Sequence, residues 1–149
     1  IELNSLLKNI AKPYLSVPKQ QQKLQLKLSR QDPNVCVDPP LLERVLRELI
    51  DNALQYTPPT GKITLRSKMA QTAVLIQVSS TGREITEAEQ EQIFTQYSRS
   101  RQNQRTQSHS TGLGLTLVKR LVEVLQGTVE VKSDRQVVTF TVTLPLESN

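Results

Sequence analysis

A row of polar side chains follows one edge of the predicted helix in "ERVLRELIDNALQYTP", residues 43–58. Glu48 and Asn52 are four residues apart, so they lie one turn apart on the same helix edge, and Gln55 and Tyr56 extend the row. The amide oxygen of Asn52 is a hard ligand that could hold Mg²⁺ together with phosphate oxygens. The alternative interpretation of this row is a solvated helix face.

A glycine-rich turn, "STGLGL" at residues 110–115, offers a second kind of chemistry. Gly112 and Gly114 leave backbone amides free to approach an anion, and the helix that follows contributes its positive N-terminus. The turn lacks the Gly-Lys-Ser/Thr ending of a P-loop, and Leu117 stands where a dinucleotide fingerprint has its third glycine. Phosphate binding and a flexible helix-capping hinge are the two interpretations that remain.

Two other residues with reactive side chains lack suitable partners in the sequence. His109 is the single histidine and lies in a polar segment without a nearby acid, which argues against a catalytic triad. The single cysteine, Cys36, excludes an internal disulfide and an all-cysteine metal site. Its neighbours Val35 and Val37 predict that it is a buried strand residue, and a redox role is the alternative.

The bulk composition fits one globular domain with an aliphatic core. The chain has 149 residues, which is enough to bury a sizeable core, and it begins with Ile1, so we expect it to be part of a longer protein. The net charge of +5 permits a polyanionic partner, but an aromatic content of 3% and the lack of a binding motif argue against nucleic acid. No signal peptide or bilayer-length apolar run is visible, so we expect a cytoplasmic domain without direct membrane contact.

Hydrophobic periodicity places these motifs on a regular series of elements. The order is helix, strand, helix, two strands, helix, long polar loop, helix and two strands. The predicted strands cover residues 23–29, 62–68, 72–80, 128–133 and 137–145. The predicted helices are 5–22, interrupted at Pro13 and Pro18; a central helix that starts after Asp38 and stops at 57–61; 86–97, with a capping box of Thr86 and Glu89; and 112–127, ended by Gly127.

The order of these elements predicts the fold class. The last two strands are consecutive, so strict strand–helix alternation is absent, and helices on one face of a mixed sheet are expected. The central helix carries one continuous apolar stripe, formed by Leu42, Val45, Leu46, Leu49, Ile50 and Ala53. We therefore predict an α+β fold, a two-layer α/β sandwich, as a single domain over residues 1–149.

Four motifs in this order resemble those of sensor histidine kinases. They are the helix segment 43–58 as the N box, "VSSTGREI" at 78–85 as the first glycine box, "IFTQYSR" at 93–99 as the F box, and "STGLGLTLVKRLVEVLQGTVEV" at 110–131 as the second glycine box. The closing "FTVTLPL" also fits the family. The resemblance covers essentially the whole chain and points to the catalytic and ATP-binding domain, within the gyrase–Hsp90–kinase–MutL superfamily. Glu48 and Glu84 make the chain most similar to cyanobacterial sensor kinases.

The resemblance implies a Bergerat-type ATP-binding fold with a mostly antiparallel sheet, and ATP and Mg²⁺ as cofactors. Asn52 would hold Mg²⁺, Glu48 would act on water or on the incoming nucleophile, and Tyr56 would pack near adenine. Residues 98–111 would form the ATP lid. The remaining nucleotide contacts that it implies are Ser80 and Gly82 of the first glycine box, Arg99 near the phosphates, and Thr111, Gly112, Leu113, Gly114 and Leu115 of the second glycine box.

The resemblance also implies the partners. The phosphoryl acceptor would be a histidine on a separate dimerisation domain of the same kinase, and not His109. A response regulator would act downstream. This chain would supply the nucleotide and the acceptor domain would supply the nucleophile.

Three positions depart from the family pattern. Ser80 replaces the aspartate that reads adenine, Glu84 replaces the second glycine of its box, and Gln55 replaces the N-box lysine. A neutral hydrogen bond in place of a charged one forfeits about 1–2 kcal/mol, or roughly five- to thirtyfold in affinity. The departures leave open a pseudokinase or signalling module as the alternative function, and a basic nucleic-acid binder as a third.

Overall fold

The computed structural model describes residues 2–16, 23–31, 34–95 and 114–146, and these ranges contain four helices and five strands. The helices are α1 (Leu3–Leu15), α2 (Pro39–Tyr56), α3 (Glu87–Gln92) and α4 (Gly114–Val124). The strands are β1 (Lys23–Lys27), β2 (Lys62–Met69), β3 (Ala73–Thr81), β4 (Thr128–Asp134) and β5 (Val137–Pro145). Within the described ranges, no helix has both the length and the apolar character to cross a membrane.

The strands form one mixed sheet in the order β1-β2-β3-β5-β4. Only β1 and β2 are parallel, and α2 is the crossover between them, as a parallel connection requires. The other neighbouring strands, β2–β3, β3–β5 and β4–β5, are antiparallel. The predicted mixed, mostly antiparallel sheet is confirmed.

One core lies between this sheet and the helices. Every second residue of β3 and β5 is buried, while the alternate residues face the open side of the sheet. Polar side chains pair across that open side, where Gln77 donates to Thr141 and Ser79 bonds to Thr139, both at 3.1 Å. The predicted apolar stripe of α2 is confirmed, because all six of its residues are buried.

Helix α1 is joined to α2 by a polar contact at the edge of this core. Tyr14 Oη donates to Asp51 Oδ1 at 3.0 Å. Partial burial, together with the nearby Asp51 carboxylate, raises the pKa of Tyr14 to about 12. The prediction that Pro13 interrupts this helix is wrong, since the helix continues to Leu15. A proline so close to the C-terminus of a helix removes one of its last hydrogen bonds and leaves the earlier turns intact. Pro18 lies outside the described residues.

The expected burial of Cys36 is wrong, because its side chain is exposed. The segment 34–37 does not join the sheet, and Asn34 makes only an isolated bridge with Glu2. Val35 is fully buried and Val37 half-buried, so the side chain between them points to solvent.

Two helix ends also differ from the predictions. The capping box of Thr86 and Glu89 is present, but α3 ends at Gln92 rather than continuing to 97. The reason is that α3 buries none of its own residues. Phe94, beyond the end of the helix, packs edge-on against Phe140, and the two ring centroids are 6.0 Å apart.

At the end of α4, the left-handed residue is Gln126, with φ of 65°, and not Gly127. The N–H of Gly127 instead donates to the carbonyl of Val122 at 2.9 Å, which closes a Schellman-type end one residue earlier than predicted.

Candidate functional site

Helix α2 places its polar row between the two glycine motifs. Because the apolar stripe of α2 packs on the sheet, Glu48, Asn52 and Tyr56 lie along one edge of the helix, where Glu48 and Tyr56 are half-buried and Asn52 is 9% exposed. Glu48 meets the start of α4, and the other two meet the loop after β3. The tertiary structure therefore brings together motifs that lie more than 25 residues apart in the sequence.

Glu48 lies against the first residue of α4. A Cβ atom on Gly114 would be 2.7 Å from Glu48 Oε1, so the glycine leaves space for this carboxylate. The other oxygen, Oε2, accepts a hydrogen bond from Arg44 Nε at 3.0 Å. A carboxylate is stabilised at a helix N-terminus by the partial positive charge there, and the ion pair with Arg44 fixes its direction further.

Asn52 and Tyr56 share one cationic neighbour, Arg83. Arg83 Nη1 donates to Asn52 Oδ1 at 3.2 Å, and Arg83 Cζ lies 5.3 Å from the centroid of the Tyr56 ring. Arg83 was not among the residues predicted for the site. The available signal was its place directly after Gly82 in the first glycine box.

Ser80 lies at the end of β3 on the face that points toward the helices. It is 2% exposed and pairs with Ile63 on one side and Val138 on the other. No side-chain hydrogen bond joins Ser80 to another of the residues that the structure describes. Its hydroxyl is therefore a small polar group at the inner end of the sheet.

Gly82 turns the chain away from the sheet. Its φ is +84°, a left-handed conformation that side chains rarely adopt, and its N–H donates to Gln136 O at 2.8 Å. The Pro58 ring, just after α2, packs against it, since a Cβ on Gly82 would be 2.7 Å from Pro58 Cγ. The glycine thus lets the first glycine box approach the end of α2.

The second glycine box is only partly described. Gly114 starts α4, and Leu115 is 4% exposed with its side chain in the hydrophobic core, so Leu115 can offer a ligand only its backbone. Arg99, Thr111, Gly112, Leu113, the predicted lid at 98–111 and His109 lie outside the described residues.

The side chains that could bind a metal fit a site completed by substrate phosphates and water better than a site made of protein ligands alone. Among the described residues, no three His, Cys, Asp or Glu side chains cluster to hold a metal ion. Asn52 nevertheless directs its amide oxygen at a cationic group, the Arg83 guanidinium. A single protein oxygen is what Mg²⁺ uses when substrate phosphates and water supply the other ligands.

Comparison with known proteins identifies the family to which this geometry belongs. Residues 37–148 match the family described as histidine kinase-, DNA gyrase B-, and HSP90-like ATPase. The chain belongs to this family. The predicted resemblance to sensor histidine kinases is confirmed, and the matched range includes α2, both glycine motifs and the closing strand.

A curated relative is a cyanobacterial kinase, as the sequence predicted. The chain is 37% identical over 123 residues to the circadian input-output histidine kinase CikA of Synechococcus elongatus, and the match covers 82% of this chain. It spans only 16% of the length of CikA.

Solved structures support the fold. The catalytic domain of histidine kinase ThkA superposes with a TM-score of 0.85 at 24% identity, covering 98% of this chain and 93% of that chain. Full-length ShkA in complex with AMPPNP superposes with a TM-score of 0.84 at 22% identity, covering 100% of this chain and 31% of that one. The Bergerat-type fold is thereby confirmed.

Proposed function

We propose that this chain is the ATP-binding catalytic domain of a two-component sensor histidine kinase. It binds Mg·ATP and donates the γ-phosphoryl group to a histidine on a separate dimerisation domain of the same kinase. The observation that carries the proposal is the position of α2, whose polar row contacts the start of α4 through Glu48 and the first glycine box through Asn52. A nucleotide needs these two regions together, one for its phosphates and one for its base.

At the adenine end, Tyr56 packs beside the base and Ser80 offers its hydroxyl to the edge of the ring. Ser80 is shorter than the aspartate of the family, so its contact with adenine runs through a water molecule. Gly82 has no side chain, so the base can approach the backbone of this turn closely. Recognition of adenine is therefore weaker here than recognition of phosphate.

At the phosphate end, the second glycine box and the N-terminus of α4 receive the negative charge. The contributing positions are Arg99 of the lid, Thr111, Gly112 and Leu113, and the backbone of Gly114 and Leu115. Asn52 holds Mg²⁺, which neutralises charge on the phosphates when it is bound. Glu48 lies at the same helix start and orients the water or the incoming nucleophile.

The partners of this reaction lie outside the chain. We assign the acceptor histidine to another domain of the same kinase, a response regulator downstream, and a cytoplasmic site of action. The coverage of only 16% of CikA leaves room in such a kinase for an acceptor domain and a sensor. Nucleic acid and direct membrane contact play no part in the proposed function.

A degenerate signalling module is the second candidate. It is favoured by Ser80, which replaces the adenine-reading acid with a buried hydroxyl, and by Arg83, which already occupies a hydrogen-bonding position on Asn52 Oδ1. In that case the fold serves protein contacts and nucleotide binding is weak or lost.

Calorimetric titration with ADP and with a non-hydrolysable ATP analogue, each with and without Mg²⁺, separates the two functions. We expect saturable binding that Asn52→Ala weakens by about tenfold in the presence of Mg²⁺, because it removes the metal's protein ligand. Gln77→Ala is the matched control, since it removes an amide on the open side of the sheet. In the full-length kinase, Asn52→Ala should abolish autophosphorylation. An absence of binding up to millimolar nucleotide would favour the signalling module instead.

A further inference from the structure

The Arg83 guanidinium occupies a central position in the proposed site. Its Nη1 lies 3.2 Å from Asn52 Oδ1, and its Cζ lies 5.3 Å from the Tyr56 ring centroid. These are the side chains assigned above to the metal and to the base. Arg83 is half-buried, so the charge is held at the site rather than extended into solvent.

We propose that Arg83 is a resident cation that sets how strongly nucleotide binding depends on Mg²⁺. This inference rests on the proposed nucleotide site and concerns its regulation. Arg83 reduces the difference in affinity between metal-free nucleotide and its magnesium complex. Without Arg83, that difference becomes larger.

The first step is competition for one oxygen. Asn52 Oδ1 accepts the hydrogen bond from Arg83, and the same oxygen is the only protein ligand proposed for Mg²⁺. Two cations within contact of one amide oxygen repel each other in a partly buried site. A guanidinium at this place therefore makes metal entry less favourable and takes part of the metal's role.

The second step is the match between a guanidinium and phosphate. Arginine presents planar, permanently charged donors that fit phosphate oxygens in pairs, whereas lysine acts as a point charge. The lysine expected in the N box is Gln55, so α2 itself brings no cation to this place. Arg83, which belongs to the first glycine box, places a positive charge beside Asn52 and Tyr56, on the turn of α2 that contains Gln55.

Arg44, the other cation beside the polar row, does not serve the same purpose. Its Nε is 3.0 Å from Glu48 Oε2, so its charge is already paired with a carboxylate. Arg83 instead contacts Asn52 and Tyr56, the side chains assigned to the metal and to the base.

The test is the ratio of the ADP dissociation constants measured by calorimetry in EDTA and in excess Mg²⁺. In Arg83→Gln we expect metal-free ADP binding to weaken by about tenfold, the typical loss for one charged hydrogen bond, while binding of Mg·ADP changes by less than about threefold. The ratio therefore rises by roughly tenfold. Arg83→Lys, which keeps the charge and loses the planar donors, should lie between the two and guards against a folding defect in the glutamine variant.

Arg66→Gln is the matched control. Arg66 lies on β2 between the buried residues Leu65 and Ser67, so it faces the open side of the sheet, and its loss changes the net charge by the same amount. The ratio should not change in this variant. A rise in both variants would show that net charge, and not the position of Arg83, is responsible, and would overturn the inference.

The remaining outcomes separate this inference from the proposed function. If the unmodified chain binds ADP and Arg83→Gln weakens both forms equally or neither form, the regulatory role of Arg83 is wrong and the nucleotide site stands. If no variant binds nucleotide, both proposals are wrong. Binding that occurs only in Arg83→Gln with Mg²⁺ would also overturn the inference, because Arg83 would then block nucleotide binding instead of supporting it, while the nucleotide site would stand.

Discussion

In the proposed function, Ser80 is the residue on which selectivity for adenine depends. The hydroxyl lies at the inner end of β3, 2% exposed, in a position where the family pattern has a carboxylate. The helix-facing side of the sheet directs it toward the same end of the core as Asn52 and Tyr56. Compared with the carboxylate of the family pattern, the serine differs in charge and in length.

Ser80→Asp should restore that recognition. We expect the affinity for ADP to rise by about five- to thirtyfold, because a charged acceptor replaces a neutral one, while the affinity for GDP does not rise. Burial of an unpaired carboxylate should also lower the free energy of unfolding without nucleotide, and ADP should recover it. Titration and thermal unfolding measure both effects.

Ser79→Asp is the control for this substitution. Ser79 precedes Ser80 on β3, faces the open side of the sheet and bonds to Thr139. An added carboxylate there should leave ADP affinity unchanged. Equal gains in ADP and GDP affinity for Ser80→Asp would contradict the proposed base-reading role.

At the scale of elements, α2 is the helix that connects the two parts of the proposed site, because it contacts both glycine motifs. Its buried stripe fixes its rotation about its own axis, and the polar row then faces the ends of β3 and α4. The glycines at the two contacts have different tasks. Gly82 provides a backbone conformation, and Gly114 provides space for a carboxylate.

This difference predicts unequal effects of alanine at the two glycines. Gly82→Ala should lower the free energy of unfolding by at least about 1–2 kcal/mol, since its φ of +84° is costly for alanine and the added Cβ meets the Pro58 ring. Gly114→Ala should cost less than about 1 kcal/mol, because Glu48 can rotate its carboxylate away. Urea denaturation at constant m-value measures both. A larger loss for Gly114→Ala would contradict the packing described for these two turns.

At the scale of the whole molecule, one core joins all five strands to α1, α2 and α4. The proposed nucleotide site lies at one end of this core, where α2, β3 and α4 come together. We therefore expect the described part of the chain to unfold as one cooperative unit.

Leu49→Ala tests the dependence of the whole domain on α2. Leu49 is fully buried, so its truncation should lower the free energy of unfolding by about 2–5 kcal/mol and keep a single transition. Leu15→Ala is the matched control: Leu15 is 50% exposed at the end of α1, and its loss should change stability by about 0.5 kcal/mol or less. Two separate transitions in either variant would contradict a single core.

The sequence by itself determined the elements, the fold class and the family. Alternation in β3 and β5, the apolar stripe of α2 and the capping box of α3 all reflect local periodicity, which is written directly in the order of residues. Glu48 and Asn52 could be selected for the same reason, since their spacing places them on one helix edge.

Only the tertiary structure decided which motifs meet and which residues are added to the site. The contact of Arg83 with Asn52 joins residues 31 positions apart, and the contact of Gly114 with Glu48 joins two different helices. The exposure of Cys36 and the early end of α3 depend on which neighbouring side chains pack into the core. Local patterns fix how each segment folds, whereas contacts between distant segments depend on the packing of all of them together.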